Sequence, residues 1–192
     1  MNSIPNVNIP NGQIGDFKVI RKHVEPRFQF SMDGRYVPNG EYTFLYYKDT
    51  LLMSDTPDEK RDHYSAVYQA TGNCLIAGLG IGMVLNAMCL KPEVKHITII
   101  EISQEVIDLV GKHYLEMYPN KIEIICADIY TWKPLKETIY DLIWFDVWNH
   151  LCTDNLEQMS MLHRRFARKA KWKGSWGKEY LQYQKRREKC YY

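Results

Sequence analysis

Asn73-Cys74-Leu75-Ile76-Ala77-Gly78-Leu79-Gly80-Ile81-Gly82 reads as a short buried strand, Cys74 to Ala77, running into a glycine-rich turn. A helix opens at about Gly82, carries Met83, Val84, Leu85, Ala87 and Met88, and is stopped by Pro92. Strand, glycine turn and helix form the first half of a nucleotide-binding βαβ unit, in which the turn's glycines let a ligand approach the backbone over the helix N-terminus. The spacing is G-x-G-x-G at Gly78, Gly80 and Gly82. A pyrophosphate site would place its third glycine at Met83, and a P-loop would need a Lys-Ser/Thr pair that is absent.

Upstream, Thr56-Pro57-Asp58-Glu59 is a helix start: Thr56 as cap, Pro57 at the first helical position and Glu59 completing a capping box. That helix sets Tyr64, Val67, Tyr68 and Thr71 on one face and ends at Gly72. Downstream, His96 to Ile102 is a second buried strand. Ser103 caps a helix bearing Val106, Ile107, Val110, Tyr114 and Met117, which Pro119 ends. Ile122 to Ala127 is a third strand and Tyr140 to Val147 a fourth. Strands alternating with helices imply a parallel, Rossmann-like sheet. No further strand is expected: Asp154 caps a helix with Leu156, Met159, Leu162 and Phe166, Trp172 to Gly177 is a turn, and a last helix runs to about Lys189. The sheet is thus shortened after its fourth strand, and its open edge predicts a homo-oligomer, most simply a dimer.

Ligands of such sheets lie outside the carboxyl ends of the strands, and three of the four ends carry an acid. Glu101 follows the glycine turn by the ~20 residues at which an acidic side chain meets a ribose hydroxyl; it also suits a helix-start acid beside Ser103. Asp128, followed by Ile129, can accept from an adenine amino group or simply close a turn. Asp146 can contact a cationic group, act as a base, or cap the next segment.

The 192 residues, 45% of them apolar, suffice for one domain with an appendage. We divide them into an N-terminal arm and β appendage (1–55) and a Rossmann-like domain with C-terminal basic helices (56–192). Within the appendage, Phe17 to Val24, Arg27 to Met32 and Tyr42 to Met53 are β-prone runs separated by Asp33-Gly34 and Pro38-Asn39-Gly40. The arm before Phe17 is irregular. Net charge is only +2, but Arg164 to Lys189 is rich in Lys and Arg and, with Trp172, Trp176, Tyr180 and Tyr183, has the composition of a nucleic-acid contact surface. A solvated amphipathic helix has the same composition. No charged-then-apolar leader opens the chain and no apolar run nears the ~20 residues of a membrane span, so a cytoplasmic protein without membrane partners is expected. Five cysteines form no C-x-x-C pair and read as reduced thiols. His150, Cys152 and Asp154 match no strong metal-ligand spacing, and no metal is expected.

From Thr71 to Asn149 these features resemble the class I S-adenosylmethionine-dependent methyltransferase fold. Met53 to His63 resembles the segment before motif I in its spermidine-synthase-like branch, including small phage and bacterial members. Their ends are similar to Asp146-Val147-Trp148, Asp154-Asn155-Leu156, Leu162-His163-Arg164-Arg165 and Gly174-Ser175-Trp176. The resemblance implies S-adenosyl-L-methionine as cofactor. Gly78 and Gly80, with Ala77 and Leu79 beside them, would contact its methionyl part, Glu101 with Ile102 its ribose, and Asp128 with Ile129 its adenine. Asp146 would serve both cofactor and catalysis. The cofactor has no phosphates, so the missing pyrophosphate glycine is no loss. Aminopropyltransferases of the branch are similar but carry D-x-x-D after the fourth strand, where this chain has Asp146 and Asn149. The expected activity is therefore methyl transfer to an acceptor the sequence does not name. Aminopropyl transfer, for which Asp62 or Glu59 converging with Asp146 in the cavity would argue, and cofactor binding without catalysis are the alternatives.

Overall fold

The computed structural model describes residues 4–25 and 37–189. Gly12–Ile14 (β1), Phe17–Val24 (β2), Gly40–Tyr47 (β3) and Thr50–Ser54 (β4) form an antiparallel sheet in chain order. The arm expected to be irregular already contributes β1. The long third run breaks at Lys48, which takes φ 52° in the β3–β4 turn. The strand expected over Arg27 to Met32 and its Asp33-Gly34 turn lie outside the described residues. Val19 and Leu45, paired across β2 and β3, join Ile4, Val7 and Ile9 in the principal core. Buried Asp55 ties arm to sheet: its two carboxylate oxygens accept from Val7 N–H at 2.8 Å and Thr43 N–H at 2.7 Å.

Pro57–Gln69 (α1) starts where expected, but not with the expected cap. Thr56 makes no side-chain capping bond; Glu59 reaches past it and accepts from both N–H (2.8 Å) and Oγ–H (2.5 Å) of Ser54. The buried face is also different: His63, Ala66 and Ala70 turn inward, while Tyr68 is exposed. Large residues drew the expected face the wrong way. Space under α1 is small, and alanines let it approach the sheet.

Gly72–Ala77 (β5), Val94–Glu101 (β6), Ile122–Cys126 (β7), Tyr140–Phe145 (β8) and Ala170–Ser175 (β9) make a wholly parallel sheet in the order β7-β6-β5-β8-β9. Its β5 and β6 interiors are buried runs, apolar except for Thr98, as strands covered on both faces require. Met83–Cys89 (α2) follows the glycine turn. Gly82 sits before it at φ 73°, where an added Cβ would lie 2.1 Å from the Tyr114 ring. Ser103 caps as expected, accepting from Val106 N–H at 3.3 Å. The helix it opens is Gln104–Val106 (α3), a π-helical turn Ile107–Gly111 and Lys112–Met117 (α4), with Met117 exposed rather than packed.

The strand β9 corrects the sequence reading, which took Trp172 to Gly177 for a turn. Gly174 misled it. Trp144 and Trp172 stack at 6.3 Å and 12°, and a Cβ on Gly174 would lie 2.6–2.7 Å from those rings. This glycine makes room for tryptophans inside a strand. The sheet is still short, ending with β9. Asn155–Arg165 (α5) and Lys178–Lys189 (α6) are the expected C-terminal helices. Leu156, Met159, Leu162 and Phe166 are buried as expected, but Asp154 makes no side-chain capping bond. Cys74, Cys89, Cys126 and Cys152 are free. Burial pushes the first two thiols up to about 12, whereas Cys126 is exposed. No helix among the described residues is long and apolar enough to cross a membrane.

Candidate functional site

Strand order reverses between β5 and β8, so the connections leaving those strands diverge and open a crevice at their carboxyl ends. A cavity of about 420 Å³ occupies it. The connections after β5, β6, β7 and β8 supply one wall. Phe17, Leu45, Tyr47, Leu52 and Met53 of the antiparallel sheet supply another, with Glu59 and His63 of α1 and Trp176 after β9. The appendage is therefore part of the site, which the sequence did not disclose.

Seven of the residues expected at the site line this cavity: Gly78, Gly80, Glu101, Ile102, Asp128, Ile129 and Asp146. Ala77 and Leu79 do not. Ala77 lies within β5, its carbonyl accepting from Asp146 N–H at 2.8 Å, and the Leu79 side chain is buried. Both glycines have positive φ and stand against the chain itself: a Cβ on Gly78 would lie 2.0 Å from the Asp146 carbonyl oxygen, and one on Gly80 2.3 Å from Met53 Sδ.

Glu101 takes the helix-start position beside Ser103 and also lines the cavity. Its Oε2 accepts from Leu79 N–H and its Oε1 from Ser103 N–H, each at 2.8 Å, so one carboxylate links the glycine turn to the start of α3. Desolvation raises its pKa despite these bonds, and Asp146 adds to the rise. Asp128 closes its own turn, Oδ1 accepting from Tyr130 N–H at 2.8 Å, and also lines the cavity. Asp146 has Oδ2 3.7 Å from Nε2 of buried His63, beyond hydrogen-bond length. Burial raises its pKa, His63 opposes the rise and Asp62 adds to it.

Of three further residues near Asp146, His63 was missed as a site residue, while Glu59 and Asp62 entered only as acids whose convergence on Asp146 would favour aminopropyl transfer. Glu59 was assigned to a cap, yet burial lifts its pKa to about 8, Ser54 opposes the shift, and Asp146 and Asp62 contribute to it. Asp62 accepts from Trp176 Nε1–H at 3.2 Å. His63 Nδ1 is buried without a hydrogen-bond partner. The helical spacing of His63, Ala66 and Ala70 was the available signal. No Lys or Arg lines the cavity among the described residues.

Helix α5 braces the walls. Gln158 Oε1 accepts from Trp148 Nε1–H (2.7 Å) after β8 and from the Tyr130 hydroxyl (3.2 Å) after β7. The Arg165 guanidinium donates to four successive carbonyls, those of Ile129, Tyr130, Thr131 and Trp132.

These features define a Rossmann-like α/β protein with its candidate site at the topological switch point. No family model matches the sequence, and no curated protein does. Parts of the chain superpose loosely on solved methyltransferases. One is the plantazolicin methyltransferase BpumL, in complex with a monoazolic desmethylPZN analog and SAH: 22% identity, 57% of this chain and 41% of that one, TM-score 0.43. Another is the CcbJ methyltransferase from Streptomyces caelestis: 15% identity, 58% and 43% coverage, TM-score 0.44. A third is an S-adenosylmethionine-dependent methyltransferase from Clostridium acetobutylicum ATCC 824: 18% identity, 58% and 43% coverage, TM-score 0.40. The matched part spans about two fifths of each of those chains.

Proposed function

We propose that the cavity binds S-adenosyl-L-methionine and that the chain is a methyltransferase. The observation that carries this is the meeting of Glu101, Asp128 and Asp146 around one cavity with Gly78 and Gly80 in its wall and, among the described residues, no lysine or arginine. A phosphate-bearing ligand would find no cation there. A ligand with ribose hydroxyls, an amino-substituted base and a positive end finds acceptors for each. Glu101 would accept from the ribose, Asp128 with Ile129 would take the adenine, and the Gly78–Gly80 backbone the methionyl part. The bound cofactor supplies an activated methyl on its sulfonium; the protein's task is to hold the acceptor in line and accept a proton. Asp146, between the glycine turn and α1, would take that part.

Aminopropyl transfer is a second reading, and one observation favours it: Glu59 lines the cavity together with Asp146, and Asp62, outside the lining, interacts electrostatically with both. Titration calorimetry with S-adenosylmethionine, its demethylated product, the decarboxylated cofactor and NAD separates these readings. Methyl transfer expects S-adenosylmethionine and its product to bind and NAD not to. Tighter binding of the decarboxylated form would move the assignment to aminopropyl transfer, and binding of none would end both. We further propose a homodimer. Of the two sheet edges, β9 carries two lysines, Lys171 (already ion-paired with Asp141) and Lys173, as edge strands that avoid pairing do, so the β7 edge, Ile122–Cys126, is the one we expect to pair. A monomer in sedimentation at micromolar concentrations would refute it.

A further inference from the structure

We propose that α6, with the end of α5, is a docking surface for single-stranded nucleic acid that starts at the cavity wall. Between Arg164 and Glu188 the chain has ten Lys and Arg against two acids, although its net charge is only +2. The cations come from two packed helices and the turn between α5 and β9: Arg164 in the last turn of α5, Arg168 three residues past its end, and Lys185, Arg186 and Arg187 on α6 are all exposed. None of these five makes an ion pair among the described residues. Helix α6 seats Leu181 at 0% exposure and turns Tyr180 and Tyr183 outward at 55% and 54%. Three residues apart, these two rings share a face of the helix. The Arg187 guanidinium lies 5.9 Å from the Tyr183 ring centroid, so a planar cation and a ring are already side by side.

Two aromatic faces among unpaired cations match the chemistry of an unpaired strand, whose bases stack on rings while its phosphates meet arginine and lysine. A membrane surface fits less well, because an interfacial helix needs an apolar face and the one leucine of α6 is buried. An acidic protein would leave the tyrosine pair without use. Position adds weight: Trp176 is in the cavity wall and α6 begins two residues later, so a strand lying on α6 runs toward the site.

The test is fluorescence anisotropy with labelled oligouridylate and oligothymidylate of about twelve nucleotides, within the site size of single-strand binders, and with a duplex of equal length. Binding is expected at about 50 mM salt, weakening steeply as salt rises. Tyr180→Ala with Tyr183→Ala should lower single-strand affinity at least about fivefold. Arg186→Glu with Arg187→Glu should lower it further and flatten its salt dependence. Lys95→Glu with Lys112→Glu, the same change of net charge on β6 and α4, should do neither. A preference between the two single strands tells RNA from DNA. The proposal is overturned by absent binding at low salt, by equal loss in the β6/α4 control, or by duplex preference indifferent to the tyrosines. None of these readouts depends on the cofactor assignment.

Discussion

Glu59 shows how one side chain can make pH act on the whole molecule. Burial raises its carboxyl from an ordinary 4.5 to about 8, so across that window the native protein keeps a proton the unfolded chain has released. Stability from this group is complete below about pH 4.5 and lost as pH rises through about 8, on the order of a few kcal/mol. Glu59→Gln preserves an acceptor for Ser54 and removes the titration. Melting temperature against pH should therefore slope less in the variant between those limits; superimposable curves would show that Glu59 does not titrate there. Glu101 is the companion case. Glu101→Ala strips acceptors from Leu79 and Ser103 and, under the proposed function, from ribose, so affinity for S-adenosylmethionine should fall by ~1.5–3 kcal/mol. Calorimetry with unchanged affinity would remove Glu101 from the site. Glu101, Asp128 and Asp146 were legible because parallel strands announce their ends as apolar runs closed by an acid. His63 was not, and Glu59 only as a conditional partner of Asp146: their positions depend on which face α1 turns inward, and two tyrosines outweighed two alanines in that reading.

Arg165 is an element-scale device, because it holds a backbone segment rather than a side chain. Four carbonyls converge on its guanidinium from residues 129–132, the continuation of the turn that carries Asp128 and Ile129 into the cavity. Cutting it to alanine leaves those carbonyls to water and frees the wall proposed to take the adenine. Arg165→Ala should weaken S-adenosylhomocysteine roughly tenfold, the equivalent of one lost charged hydrogen bond. Binding of free methionine, if measurable, should be indifferent to it. Parallel losses for both ligands, with a large fall in melting temperature, would mean general loosening instead. Elements were read from sequence in proportion to how locally they are determined. β5 and β6 are long apolar runs and needed no partner to be recognised. β9 could not be, since Lys171, Lys173 and Gly174 become a strand only through pairing with β8 and the stacking of Trp172 on Trp144.

At the scale of the whole molecule, the cavity exists because two sheets meet. The parallel sheet contributes carboxylates at its switch point, and the antiparallel sheet and α1 close the space above them with aromatic and acidic side chains. That closure leaves the Asp146 side chain only 15% exposed, and its raised pKa follows from the burial. Whether this makes a catalyst or only a binder turns on Asp146. Asp146→Asn keeps its size while removing charge and basicity, and buried His63 loses the carboxylate 3.7 Å away. If Asp146 accepts the acceptor's proton, transfer of label from cofactor to a cell-extract acceptor should fall ~10²–10⁴-fold, with cofactor affinity little changed. If it holds the cofactor's cationic end, affinity and transfer should fall together. Equal transfer by both proteins would exclude Asp146 from the chemistry and leave Glu59, its electrostatic neighbour across the cavity, as the carboxylate to vary next.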